Sequence, residues 1–143
     1  MIVILLSGLL WIISREPELT PAETVRITIP EGFNVYQVAS AVEEAGMVTR
    51  EEFLKVAERE EGFLFPDTYE FFKHSSAKVI VEKMKAQFKD KTKIFDEELK
   101  KQGKTMRDIV IMASLLEEEA ASEKDRKLIS GVLWKRIEIG MLL

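Results

Sequence analysis

Cysteine is absent from this chain of 143 residues, and histidine occurs once, as His74. The first absence excludes disulfides, thiolate catalysis and cysteine-based zinc sites, and a lone histidine cannot build a multi-histidine metal centre. Carboxylates remain as possible ligands, but nothing marks such a site, so neither a metal nor a cofactor is expected. A dense basic tract is also missing: 21 Lys and Arg stand against 25 Asp and Glu, for a net charge of −4 with both signs spread along the chain. A nucleic-acid backbone held by counterion release needs clustered cations, and nucleic acid is therefore not an expected partner. What is present, 46% hydrophobic and 32% charged residues, describes a globular protein with room for one ordinary domain or two small ones.

Charge is missing altogether from residues 1–14, MIVILLSGLLWIIS, and Arg15 ends the run. As a helix the run spans roughly 21 Å, short of the roughly 30 Å hydrocarbon core of a bilayer. A clipped or thin membrane anchor, a signal-peptide core and a buried helix compete as readings. A signal peptide lacks its basic leader here, and a buried helix lacks a polar face beyond Ser7 and Ser14, so an anchor is the expectation. With no charge ahead of the run, the positive-inside rule does not orient it. Residues 15–24, REPELTPAET, are polar with two prolines and read as a linker.

A small module follows. VRITI (25–29) alternates apolar and polar positions as a strand does, and Pro30-Glu31-Gly32 turns the chain. Asn34 is placed to cap a helix with Val35, Val38, Ala39, Val42 and Ala45 on one side, ending at Gly46. Thr49 and Glu52 have capping-box spacing ahead of Phe53, Val56 and Ala57. Strand, helix and helix in so short a span are too small for a robust core alone and are expected to lean on their neighbours.

The segment EGFLFPDTYEFF (61–72) sets five aromatics among Gly62, Pro66, Glu61, Asp67 and Thr68. Its proline argues against a central strand. It reads either as an edge strand or loop closing the core, or as a cleft wall, because aromatics beside carboxylates and hydroxyls suit sugar faces and edges. After Ser75-Ser76 a helix carries Val79, Ile80, Met84 and Phe88, and a more charged stretch with Ile94, Phe95 and Leu99 ends at Gly103.

Thr105 and Asp108 then open a helix reading MRDIVIMASLLEEEA (106–120). Ile109, Met112, Ala113, Leu116 and Ala120 share one face, with Ile111 and Leu115 nearly opposite, so the first turns are apolar all round and an interior helix is expected. At about 100° per residue, Glu117 and Glu119 flank the apolar face while Glu118 points away from it. A run of charge at a helix end is more commonly a solvated terminus. Carboxylates there also oppose the helix dipole. A carboxyl against apolar walls, by contrast, holds its proton more readily, which is what a general acid needs. Glu117 is the candidate. Glycosidases usually oppose two carboxylates, and Glu117 and Glu119 diverge too far to be such a pair. One acid/base suffices if the attacking group belongs to the sugar. Ser122 and Asp125 cap a last helix with Leu128, Ile129, Val132, Leu133 and Ile137, expected to pack on its predecessor, and the chain stops at GMLL as if truncated.

EGFLFPDTYEF (61–71), ASLLEEEA (113–120) and DRKLISGVLWKRIEIGM (125–141), in that order, resemble the endolytic murein transglycosylases of the MltG (YceG-like) family. The resemblance implies an α+β fold in which a LysM-like strand-helix-helix module at 25–60 precedes a mainly helical, partial catalytic domain at 61–143. It implies an enzyme of the bacterial inner membrane, with one N-terminal span at 1–14 and the catalytic domain outside the cytoplasm. Its substrate would be peptidoglycan glycan strands, cut at the β-1,4 bond between N-acetylmuramic acid and N-acetylglucosamine to leave 1,6-anhydro ends. The first glutamate of the family's Ala-Ser-Ile-Val-Glu-Lys-Glu pattern falls on Glu117, implying an acid/base role, and the second falls on Glu119, implying a supporting one. Glu61, Asp67 and Tyr69 fall in the aromatic segment and would line the cleft. Proteins of cell-wall synthesis are further partners that the resemblance leaves open. Lys135-Arg136-Ile137 stands where the family usually has Asn-Arg-Leu, Glu60 stands where a leucine often precedes the aromatic segment, and the family's Asp-Pro-Thr segment beyond Gly-Met is missing. A non-catalytic peptidoglycan-binding or scaffold protein with an incomplete cleft is therefore the alternative, and an unrelated membrane-tethered helical adaptor a third.

Overall fold

The computed structural model describes residues 23–120 and 122–141. Two strands, β1 (Thr24–Thr28) and β2 (Thr68–Phe72), pair antiparallel with Ile27 opposite Tyr69 and Val25 opposite Phe71. Period-2 alternation sends Ile27, Tyr69 and Phe71 to the buried face and Thr24, Arg26, Thr28, Thr68 and Glu70 to solvent. Helices α1 (Val35–Glu44) and α2 (Arg50–Ala57) lie between the strands in sequence. After β2 come α3 (Ala77–Thr92), α4 (Asp96–Gln102), α5 (Met106–Glu119) and α6 (Glu123–Glu138), giving an α+β fold that is mainly helical.

Except at α4, whose start has no side-chain cap, the helix starts follow from side chains that accept backbone N–H groups. Asn34 with Gln37, Thr49 with Glu52, and Thr105 with Asp108 form complete capping boxes, while Ser76 and Ser122 cap α3 and α6. At the end of α4, Gly103 takes a left-handed conformation (φ 63°) and returns its N–H to the Leu99 and Lys100 carbonyls.

One apolar cluster joins Ile27 and Ile29, Val35, Val38, Ala39 and Val42 of α1, Phe53 and Ala57 of α2, Tyr69 and Phe71 of β2, and Ala77, Ile80, Val81 and Met84 of α3. The strand-helix-helix module thus shares its core with β2 and α3, on the far side of residue 60. Val56 and Val79, expected inside, are exposed instead, because Phe53, Ala57, Ile80 and Val81 already fill the α2–α3 seam.

Two expectations need correction. The glutamate-bearing helix is not an interior helix: among the described residues of α5 only Met112 is buried, while Ile111 is 48% exposed. Nor is α6 packed along its whole apolar side. It rests on α5 with Ile129 and Leu133 half-buried, while Leu128, Val132 and Ile137 face solvent. Both helices stand outside the main cluster, so their apolar faces meet mainly each other.

Among the described residues no helix is long and apolar enough to cross a membrane. The expected anchor at 1–14 lies outside the described residues, as does most of the expected linker, which gives way to β1 at Thr24.

Phe53 is fully buried and Leu128 is 70% exposed. Phe53→Ala is expected to lower unfolding free energy by about 3–5 kcal/mol, and Leu128→Ala to change it by less than about 0.5 kcal/mol, in urea titrations followed by circular dichroism.

Candidate functional site

The aromatic segment begins with a tight turn. Glu61 adopts φ −51° and ψ 130°, Gly62 adopts φ 80°, and the Phe63 N–H donates to the Glu60 carbonyl at 2.9 Å. Those values define a type II turn, whose third residue must take positive φ and is therefore glycine. Three contacts fasten the turn to the core. Glu60, the residue that departs from the family's leucine, pairs with Lys85 of α3 at 3.0 Å. The Glu61 carboxylate accepts the Val35 N–H at 2.9 Å, at the N-terminal end of α1 where the helix dipole favours negative charge. The Phe63 ring meets Phe88 of α3 edge-on, with centroids 5.3 Å apart.

The residues expected to line a cleft are largely occupied with structure. Tyr69 is buried, stacks on Phe71 at 5.7 Å, and donates its hydroxyl to the Phe65 carbonyl at 2.6 Å. Burial, with a smaller contribution from the charge of Asp67, pushes its pKa up to about 12. As placed, Tyr69 is a core residue that ties down the Phe65–Pro66 loop, not a cleft wall. Asp67 accepts from the Thr68 N–H at 2.7 Å and from the Gln87 amide at 2.8 Å. The Thr68 N–H first, then Gln87, holds its carboxyl below the usual carboxylate range. Glu61 serves as the cap on α1 just described. The loop thus takes the edge-strand and core-closing form, with its carboxylates turned to donors of the protein itself, backbone and side chain.

Helix α5 approaches this loop directly. A Cβ built on Gly62 would stand 2.5 Å from Val110 Cγ1, so the Val110 side chain lies on bare backbone where only glycine fits. The Arg107 guanidinium lies over the Phe63 ring, 6.0 Å from its centroid. Glu117 is seven residues beyond Val110, so it sits on nearly the same face, within about 20° and roughly 10 Å further along the axis. Glu117 itself is exposed, as is Glu119. The expected apolar shelter for Glu117 is therefore not formed among the described residues: Leu115 and Leu116 are half-buried and Ala113 is exposed. The physical reason is the one that keeps α5 out of the interior, namely that no core element among the described residues packs over its last turns. Glu119 is rotated about 200° from Glu117, and the two are not brought together.

A profile of the YceG-like family matches residues 9–143. The chain belongs to the YceG-like family. It is similar to the endolytic murein transglycosylase of Streptococcus pneumoniae (strain R6), with 27% identity over 150 residues that cover 82% of this chain and 27% of that protein. It is similar also to the endolytic murein transglycosylase of Bacillus subtilis (strain 168), with 27% identity over 146 residues covering 82% of this chain and 41% of that protein. The chain thus spans between 27% and 41% of the length of these relatives. Its fold is that of a crystallised yceG-like protein from Listeria monocytogenes, with a TM-score of 0.66 and 24% identity over 81% of this chain and 48% of that one.

Within this YceG-like chain, the sequence placed Gly62 in the aromatic segment but did not reveal its contact with α5, and it left Gln87 unmarked. Gly62 carried a readable signal, since Glu-Gly before an aromatic run announces a turn. Gln87 carried none, because its partner is 20 residues away in sequence.

Two outcomes test the structural assignments. Glu61→Ala is expected to lower unfolding free energy by about 1 kcal/mol through loss of the α1 cap, measured in urea. Weaker glycan binding at unchanged stability would instead return Glu61 to the cleft. For Asp67 the folded carboxyl titrates below the unfolded one, so its stabilisation is complete above the unfolded value, near ~pH 4, and fades as pH falls through the folded value. The urea-midpoint advantage of wild type over Asp67→Ala should accordingly be full at neutral pH and shrink on acidification.

Proposed function

We propose that this YceG-like protein is a lytic transglycosylase of peptidoglycan glycan strands, with Glu117 as its acid/base. Glu117 donates a proton to the oxygen bridging N-acetylmuramic acid and N-acetylglucosamine as the bond from C1 breaks. The muramic acid C6 hydroxyl attacks C1, and the Glu117 carboxylate takes the hydroxyl proton. One bond breaks, one forms, and the carboxyl regains its proton, leaving a 1,6-anhydro end without consuming water. A single carboxyl meets this need, in keeping with the divergence of Glu117 and Glu119.

The observation that carries the reading is that Glu117 lies on the α5 face that begins against the Gly62–Phe63 turn. A strand laid along that face would meet the aromatic segment and the carboxyl in sequence. The names of the pneumococcal and Bacillus relatives, endolytic murein transglycosylase, support the same reaction class. Because Glu117 is exposed, the shelter a general acid requires comes with the glycan itself. Glu119, in this reading, supports from the flank of the helix, and residues 1–14 tether the protein to the inner membrane with residues 25–141 outside the cytoplasm. The division at residue 60 into a LysM-like module and a partial catalytic domain belongs to the same proposal.

The exposure of Glu117 favours one other reading, a peptidoglycan-binding scaffold that holds strands without cutting them. Purified glycan strands incubated with the full-length gene product, then analysed by mass spectrometry, separate the two. Anhydro ends that fall at least 100-fold in Glu117→Gln, roughly the loss of a general acid, are the expected result. Strands retained but uncut would leave the scaffold.

A further inference from the structure

Six glycines among the described residues differ sharply in what surrounds them. Gly32, Gly46, Gly103, Gly131 and Gly140 would meet nothing within 4 Å if given a Cβ, whereas Gly62 would meet Val110 Cγ1 at 2.5 Å. Gly62 is thus required twice, once by its φ of 80° and once by the approach of α5. The turn that holds it is fastened to α3 through Glu60–Lys85 and Phe63–Phe88, and to α1 through Glu61 and the Val35 N–H. Helix α5 has little else to locate it against the core, since Met112 is its one buried large side chain among the described residues.

We infer that Gly62 is a positioning residue: its bare backbone is the seat on which α5 lies, and through α5 it sets where Glu117 stands relative to the aromatic segment. The second clause rests on the function proposed above, and the first does not. A methyl at 62 lies inside the roughly 3.4 Å at which carbon atoms ordinarily touch; because a β-branched valine in a helix is held to one strongly preferred χ1 rotamer, the contact is relieved by α5 lifting about 1 Å rather than by Val110 turning aside. Val110 and Glu117 share a face, so the lift carries Glu117 with it. A misplacement of that size costs on the order of 100-fold in rate when it separates reacting groups.

The test exploits the absence of native cysteine. Spin labels at Lys89→Cys on α3 and Ala113→Cys on α5 report the distance between the core and the helix, while glycan cleavage is assayed in parallel without labels. Gly62→Ala is compared with Gly32→Ala, which imposes the same positive-φ strain (φ 79°) in open space. The expected result is a longer label distance in Gly62→Ala but not in Gly32→Ala, reversed by adding Val110→Ala. Cleavage should fall roughly 10- to 100-fold in kcat with KM little changed, and recover in the same double variant. Should Gly62→Ala fail to fold, Val110→Phe pushes on the intact turn from the other side and is expected to lengthen the distance alike. A label distance in both Gly62→Ala and Val110→Phe equal to wild type overturns the seat, and a lengthened distance with unaltered cleavage overturns the positioning role. Wild type that cuts no glycan while the distances shift as expected counts against the proposed function and leaves the seat standing.

Discussion

Pairing of β1 with β2 brings together residues 40 to 48 apart in sequence, and the placement of everything after them depends on it. Two strands alone are marginal in water. The ladder persists because one face is covered: Ile27, Tyr69 and Phe71 look onto Val38, Val42, Phe53, Ile80 and Met84, all inside one apolar cluster. On the open face Thr28 and Thr68 share a hydroxyl hydrogen bond, and Thr24 donates to Glu70. A register slip of one residue would turn Tyr69 and Phe71 outward and put Glu70 inside. The hydrophobic pattern therefore fixes the register, and the register fixes where the preceding loop, Glu60 to Asp67, meets α1 and α3.

That loop shows how the same residues serve structure before they serve chemistry. A carboxylate beside an unpaired helix N–H is stabilised by the dipole and by the bond itself, which accounts for Glu61 on Val35 and removes the need for a sugar to explain it. A tyrosine hydroxyl taken into a core needs a partner, and the Phe65 carbonyl supplies it. The aromatic richness of the segment is likewise divided. Tyr69 and Phe71 close the core, Phe63 bridges to Phe88, and Phe72 is left on the open face.

Four helix starts were legible in the sequence because they are written in local capping side chains, Asn34, Thr49 with Glu52, Thr105 with Asp108, and Ser122 with Asp125, whereas α4 begins without one. The strand at 25–29 was legible for a similar reason, its alternation being local, and it differs from β1 by one residue. Burial was less legible, because it depends on what arrives from elsewhere. Val56 and Val79 have the right spacing for a core face and are out of it because larger neighbours occupy the seam. Ile111, Leu128 and Val132 have apolar periodicity, yet no core element lies over them among the described residues. The site shares this division. The motif placed Glu117 and the turn glycine on the correct elements, but neither the exposure of the carboxyl nor the diversion of Glu61, Asp67 and Tyr69 to structural partners can be read from spacing.

An exposed carboxyl is at first sight a poor general acid, since water stabilises its charge and lets the proton go. The reaction proposed here changes what the protein must provide. Hydrolysis would require a second carboxylate, an ordered water and walls to hold it. Attack by the sugar's own hydroxyl requires none of these, and the substrate arrives with its nucleophile attached. Cutting within a strand, moreover, calls for an open groove through which a long polymer passes, not a pocket. In the groove proposed here the polymer would be the wall: a glycan lying over the α5 face would displace water from Glu117 and strengthen the polar contacts beneath it. What the fold must then supply is position rather than enclosure. That demand is met by rigid contact, of which the Gly62–Val110 approach is the tightest contact of any glycine among the described residues. On this view the exposure of Glu117 in the absence of glycan is a consequence of endolytic action, and the placement of α5 on the core is the quantity that the chemistry depends on.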